Sequence, residues 1–81
     1  MFVEHMEAVT AALSANIKRL RAAKDLSQEA LALHASVDRT VLSRIERRIA
    51  NPSLLILARI ASALDVPLSE LVATQPDANR D

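Results

Sequence analysis

Residues 28–47, in the middle of the chain, constrain the fold more than any other segment. Asp38 is a suitable N-cap for a helix over 39–47, and Ser36 lies in the turn before it. Small or apolar residues recur at helical spacing on both sides of that turn: Leu31, Ala32, Ala35, Val37, Leu42 and Ile45. The segment therefore predicts two short helices, the first over 28–35, that close onto a shared core.

Helix-forming patterns and helix breakers divide the rest of the chain into three more helices. Apolar residues at helical spacing predict a first helix over 7–24. Pro52 is expected to stop the third helix, and Ser53 to cap the fourth. Pro67 precedes a short last helix over 68–73. The predicted inward stripe of the fourth helix consists of Leu54, Leu57, Ala58, Ala61 and Leu64.

The expected fold is therefore all-α, a compact five-helix domain with a helix-turn-helix at its second and third helices. We assign one domain to residues 1–74, with its core at 13–73, and a polar C-terminal tail to 75–81. Hydrophobic residues make up 51% of the 81-residue chain and aromatic residues only 1%, so aliphatic side chains must build the core.

Composition argues against several classes of function. The chain has no cysteine and no glycine, which removes thiolate metal sites and glycine-rich phosphate loops. Its two histidines, His5 and His34, have no carboxylate partners at metal-site or catalytic spacing, and each is interpreted as a surface residue. We expect a non-enzyme without a metal, cofactor or small-molecule ligand. No signal peptide or membrane span is recognisable, so the expected location is cytoplasmic and nucleoid-associated.

Charge is unevenly distributed along a chain whose formal net charge is zero. Residues 16–59 hold nine Lys or Arg against four acidic residues, a balance of +5, and the two ends together carry −5. A basic middle segment can face phosphates even when the whole molecule is neutral. The alternative interpretation is a solvated surface of mixed charge.

The predicted third helix has the size and the side chains to read DNA. An α-helix is about 10 to 12 Å across and fits the major groove of double-stranded DNA. The candidate base contacts are Arg39, Thr40, Val41 and Arg44. Arginine can donate two hydrogen bonds to guanine, and threonine can bond a base edge or pack on a thymine methyl. Alternatively, Arg39 pairs only with Asp38, Arg44 is simply solvated, and Val41 lines the edge of the core.

Other polar residues around this helix are candidates for contacts with the DNA backbone. The predicted phosphate contacts are Gln28, Ser43, Arg47, Arg48 and Asn51. Gln28 opens the second helix, where free N–H groups and the helix dipole favour an anion. The alternative for Gln28 is a local cap without a DNA role. Such contacts would set affinity and salt dependence rather than sequence preference.

Four stretches of the sequence resemble the lambda-repressor-like (Xre, Cro/cI-type) helix-turn-helix DNA-binding family. They are IKRLRAAKDLSQEALA, VDRTVLSRIERR, NPSL and ARIASALDVPLSEL, and they lie in the family's order over residues 17–71. The segment VDRTVLSRIER also resembles the restriction–modification controller proteins of that family. Three positions depart from the pattern, because Ser36, Arg48 and Asp65 stand where the family usually has glycine.

The resemblance implies further roles. Arg21 and Glu46 match a buried ion pair that ties the first helix to the third, so we assign them to the fold and not to catalysis. In that family, the residue equivalent to Gln28 contacts a DNA phosphate and braces the recognition helix, which corresponds to the third helix here. The expected function is that of a transcriptional regulator which binds a pseudo-palindromic operator as a homodimer, with RNA polymerase as a further possible partner.

A homodimer is also expected from surplus apolar residues. The predicted interface consists of Leu55, Ile56, Leu68, Leu71 and Val72, which the inward stripes do not use. Phe2, Val3 and Met6 add further apolar surface. An alternative function for this surface is that of an antitoxin or adaptor module that mainly binds a protein partner. A third hypothesis is a helical scaffold that has lost DNA binding. The operator sequence and the choice between activation and repression do not follow from the residues.

Overall fold

Residues 1–74 fold into five helices. A computed structural model describes residues 1–74; the tail predicted over 75–81 lies outside the described residues. The helices are α1 (Phe2–Ala23), α2 (Gln28–Ala35), α3 (Arg39–Glu46), α4 (Leu54–Leu64) and α5 (Leu68–Val72). No strand occurs within the described range. The all-α fold with a helix-turn-helix at α2 and α3 is confirmed.

Side-chain caps fix the first residue of the three central helices. The Ser27 hydroxyl accepts a hydrogen bond from the Ala30 amide at the start of α2, at 3.0 Å. The Asp38 carboxylate accepts one from the Thr40 amide at 2.7 Å. The Ser53 hydroxyl caps α4 in the same way at 3.1 Å. Each cap satisfies an N–H group that the helix cannot pair internally.

Left-handed residues follow each of the first four helices. Their φ angles are 59° at Asp25, 58° at Ser36, 65° at Arg48 and 60° at Asp65. The last three are the positions at which the family usually has glycine, so the expected backbone conformation is present without glycine. A non-glycine residue in this region costs of order 1 kcal/mol, somewhat less for aspartate.

Twelve buried aliphatic residues form one core that all five helices share. α1 packs against α3 and α5, α2 against α3 and α4, and α4 against α5. The core residues are Leu13, Ile17, Leu20, Leu31, Ala32, Ala35, Leu42, Ile45, Ile60, Ala61, Leu64 and Leu71. This arrangement holds α3 against the rest of the domain along one side only.

Three details of the predicted helices were wrong. α1 begins at Phe2, five residues before the predicted start, because the first residues contain no helix breaker and have Glu4 in the favourable first turn. α3 ends at Glu46, one residue before the predicted end, but the left-handed Arg48 stops it and not Pro52. In α4 the buried residues are Ile60, Ala61 and Leu64; Leu54 is 70% exposed and Ala58 is also exposed.

Candidate DNA interface

One face of α3 is fixed in the core and the opposite face is open. Leu42, Ile45 and Glu46 are at most 4% exposed. Arg39, Thr40 and Arg44 are all exposed. Val41 is half-buried and packs against the core, as the alternative interpretation proposed, although part of its surface remains accessible. The helix therefore presents two guanidinium groups and one hydroxyl on a rigid support.

The guanidinium groups of α3 are not neutralised by neighbouring acids. Within residues 1–74 the ion pairs join the N-terminal amine to Glu4 and Arg21 to Glu46. The Asp38 carboxylate, the expected competitor for Arg39, instead accepts a hydrogen bond from the Thr40 amide. The N-terminal end of α3 therefore combines a satisfied helix cap with free cationic side chains.

A buried carboxylate links α1, α2 and α3. The Glu46 side chain is 3% exposed and accepts hydrogen bonds from Arg21 Nε at 2.9 Å and Arg21 Nη2 at 3.0 Å. Gln28 Nε2 donates to the same carboxylate at 3.0 Å. Arg21 Nη1 also donates to the Leu26 carbonyl at 3.0 Å. The predicted ion pair is present, and Gln28 joins it, which braces the start of α2 against the end of α3.

The other predicted phosphate contacts surround the end of α3. Arg47, Arg48 and Asn51 are exposed in the loop between α3 and α4, and Ser43 is half-buried. The half-buried Gln28 reaches Glu46 through its amide nitrogen, while Arg47 directly follows α3. Contact with phosphate remains a prediction for all five.

Two buried polar residues of α1 were missed by the sequence analysis. Ser14 Oγ donates to the Glu46 carbonyl at 2.6 Å, and it therefore joins α1 to the end of α3. Asn16 Nδ2 donates to the carbonyls of Leu71 and Ala73, both at 2.9 Å, which joins α1 to α5. Serine and asparagine inside a helix resemble surface residues, and their partners are backbone atoms far along the chain. No local signal identifies them.

The predicted dimer surface needs one correction. Leu71 is fully buried in the core of the chain itself, so it is not available to a partner. Leu55 is 59% exposed, and Ile56, Leu68 and Val72 are half-buried at the edge of the core. Phe2 and Val3 are 74% and 63% exposed at the start of α1. We use the term α4–α5 surface for Leu55, Ile56, Leu68 and Val72.

Other kinds of site find little support in the described part of the chain. No group of three or more His, Cys, Asp or Glu side chains is placed to hold a metal ion among residues 1–74. Over the same residues, no helix combines the length and the apolar character that a membrane crossing requires.

A two-helix motif with an open cationic second helix defines the class of helix-turn-helix DNA-binding regulators. A family model described as helix-turn-helix matches residues 17–71. The chain belongs to this helix-turn-helix family and is a DNA-binding regulator. Control protein C.MunI from Mycoplasma sp is 46% identical over 56 residues, which cover 68% of this chain and 76% of that protein.

Solved structures with the same fold agree with this assignment. The restriction–modification controller protein C.AhdI from Aeromonas hydrophila is 37% identical with a TM-score of 0.73, over 76% of this chain and 94% of that one. The hypothetical transcription factor NHTF from Neisseria is 33% identical with a TM-score of 0.80, over 85% and 79% of the two chains. The chain is therefore similar in sequence and in fold to restriction–modification controller proteins.

Proposed function

We propose that the chain binds a short pseudo-palindromic DNA operator as a homodimer and controls transcription in a restriction–modification system. The observation that carries the proposal is the open face of α3, where Arg39, Thr40 and Arg44 are exposed while the opposite face is buried. The relatives named as controller proteins support the biological setting.

Sequence preference would come from the first turns of α3. Arg39 and Arg44 can each donate a pair of hydrogen bonds to guanine O6 and N7, and the Thr40 hydroxyl can bond a base edge. Val41 is half-buried, and its accessible part could touch a thymine methyl. Because the helix is fixed by the core, these groups can reach the bases without reordering the domain.

Affinity would come from contacts on either side of the recognition helix. The proposed phosphate contacts are Gln28, Ser43, Arg47, Arg48 and Asn51. Gln28 is held by Glu46 at the start of α2, where the helix N-terminus favours an anion. The cations after α3 would release counterions from DNA, which makes binding weaker as salt rises.

The proposed dimer forms through the α4–α5 surface. Its side chains belong to α4 and α5 and not to α3, and Leu55 is 59% exposed in the single chain. A two-fold dimer would present two copies of α3 about 34 Å apart, one turn of B-DNA, and would select an inverted repeat. Bound at a promoter, it would act by excluding RNA polymerase or by contacting it.

The test is a fluorescence-anisotropy titration of duplex DNA from upstream of the chain's own gene, beside a scrambled duplex. We expect a preference of about 10³ or more for the upstream duplex. Arg39→Ala should remove most of that preference and leave weak binding to both duplexes. Arg39→Lys is the matched control, because it keeps the charge and loses the paired hydrogen bonds.

The two variants separate base recognition from simple charge. Arg39→Lys should lower the preference for the upstream duplex by about tenfold while the salt dependence stays unchanged. Equal, steeply salt-dependent binding of the unaltered protein to both duplexes would overturn the proposal. Full retention of the preference in Arg39→Ala would remove Arg39 from the base contacts.

A further inference from the structure

Asn16 makes the hydrogen bonds that hold the end of α5. It is 4% exposed, and its Nδ2 group uses one donor on the Leu71 carbonyl and one on the Ala73 carbonyl, both at 2.9 Å. Its Oδ1 atom accepts a longer bond of 3.4 Å from Arg19. The two partner residues lie 55 and 57 positions after Asn16 in the sequence. It therefore connects α1 directly to the last residues of the described fold.

α5 is otherwise held by packing against α1 and α4. It is five residues long, and its N-cap, Pro67, makes no side-chain capping bond. A helix this short is not stable by itself, and its last carbonyls have no partner within the helix. Leu71 anchors one side of α5 in the core, while Leu68 and Val72 lie at its edge. These three side chains set the depth of α5 by apolar packing, and the two hydrogen bonds from Asn16 add a directional constraint.

We propose that Asn16 is a positioning residue for dimerisation, because it sets the rotation of α5 and with it the apolar face offered to a second copy of the chain. The inference rests on the proposed homodimer. Two bonds from one planar amide to carbonyls two residues apart define the direction of α5 as well as its distance from α1. Without them, only apolar packing positions Leu68 and Val72 relative to Leu55 on α4.

Two substitutions remove the donors in different ways. Asn16→Asp keeps the shape and replaces the donor group with oxygen, so that acceptors face the two carbonyls. Asn16→Ala removes the side chain and leaves the two carbonyls unsatisfied. Because it introduces no charge, it can still be measured if the buried carboxylate of Asn16→Asp prevents folding. Each variant should weaken dimerisation by about tenfold or more, since two buried hydrogen bonds are lost.

Ser14→Ala is the matched control. Ser14 is also a buried polar residue of α1 that donates to a backbone carbonyl, but its partner is Glu46 in α3 and not α5. It should also lower stability, through the loss of one buried hydrogen bond, and leave dimerisation within about twofold of the unaltered protein. Leu55→Glu, on the α4–α5 surface, should dissociate the dimer while leaving the monomer folded.

The measurement is sedimentation equilibrium of the full chain and the four variants at a temperature where circular dichroism shows each to be folded. A second readout is the amide NMR spectrum of residues 68–73 in the monomeric Leu55→Glu background. Adding Asn16→Ala to it should shift these resonances, and adding Ser14→Ala should not. These shifts report the position of α5 without any dimer.

The outcomes separate the two proposals. A chain that stays monomeric, or a dimer that Leu55→Glu does not affect, would overturn the proposed dimer surface and the role of Asn16 with it. If Leu55→Glu dissociates the dimer and both Asn16 variants dimerise normally, only the role of Asn16 is wrong. Equal weakening by Ser14→Ala and Asn16→Ala would show an effect of general stability, which also overturns it.

Discussion

α2 and α3 are a matched pair of helices with different outer faces. Each has eight residues, a side-chain N-cap and three buried residues that face the same core. The exposed residues of α2 include Glu29, Leu33 and His34, a mixture without a consistent charge. Those of α3 include Arg39, Thr40 and Arg44, which can all donate hydrogen bonds to DNA.

The comparison shows that the fold depends on the buried residues of the motif and the proposed base recognition mainly on exposed residues of α3. Gln28 and Val41 are assigned to both roles. The buried residues of α2 are leucine and alanine, and those of α3 are leucine, isoleucine and the paired Glu46. Together they hold the two helices in one fixed relation. Only the outward residues of α3 have the chemistry of base recognition. Substitutions inside the pair should therefore change stability, and substitutions on the outer face of α3 should change binding with little effect on stability.

The largest expected effect comes from equal substitutions in the shared core. Leu31 of α2 and Leu42 of α3 are both 0% exposed. Leu31→Ala and Leu42→Ala should each lower the free energy of unfolding by about 2 to 5 kcal/mol, through lost burial and the cavity that remains. Urea denaturation followed by circular dichroism measures both. A loss at Leu31 well under half of that at Leu42 would show that the two helices do not share the core equally.

The next largest effect on the free energy of unfolding is expected at the C-terminal ends of the two helices, which differ in their last buried residue. α2 ends at Ala35 and α3 at Glu46, each 4% exposed, so a methyl group and a carboxylate occupy equally buried positions. Removing Arg21, which is only partly exposed, would leave that carboxylate without its main partner and should cost about 3 kcal/mol. A double-mutant cycle of Arg21→Gln and Glu46→Gln measures the coupling. Coupling near zero would show that Gln28 and Leu26 alone satisfy the two groups.

The sequence predicted the parts of this pair that depend on neighbouring residues. Capping by Asp38 was predictable because its side chain bonds an amide two residues away. Periodicity predicted the buried residues of α2 and α3, and the resemblance predicted the Arg21–Glu46 pair. Once the buried positions of α3 were known, its exposed positions were known as well, so this face of the candidate site could be predicted from the sequence.

Features that depend on distant contacts could not be predicted. α4 is rich in leucine and isoleucine, so more than one face of the helix is apolar. Its packing against α2 and α5 determines that the face with Ile60 is buried and that Leu54 is exposed. Leu71 was assigned to the dimer surface, and its burial depends on the packing of α5 against α1 and α4. Asn16 has an ordinary helical neighbourhood, and its role depends on carbonyls more than 50 residues away.

The smallest expected effect tests the left-handed residues that follow the two helices. Ser36 follows α2 with φ 58° and Arg48 follows α3 with φ 65°, and similar backbone hydrogen bonds close both turns. Ser36→Gly and Arg48→Gly should each raise the free energy of unfolding by up to about 1 kcal/mol, because glycine adopts this conformation without strain. Asp65→Gly, after α4, is a further control and should be stabilising by less.

Ser36→Gly and Arg48→Gly should have similar effects on stability but different effects on DNA binding. Ser36→Gly removes no charge, so its affinity for the upstream duplex should stay unchanged. Arg48→Gly removes an exposed cation beside α3, and the slope of log affinity against log salt should fall by about 1. Titrations at several salt concentrations measure that slope. If Arg48→Gly is more stable and binds DNA with an unaltered slope, Arg48 contacts no phosphate, and its strained conformation has no compensating role in binding.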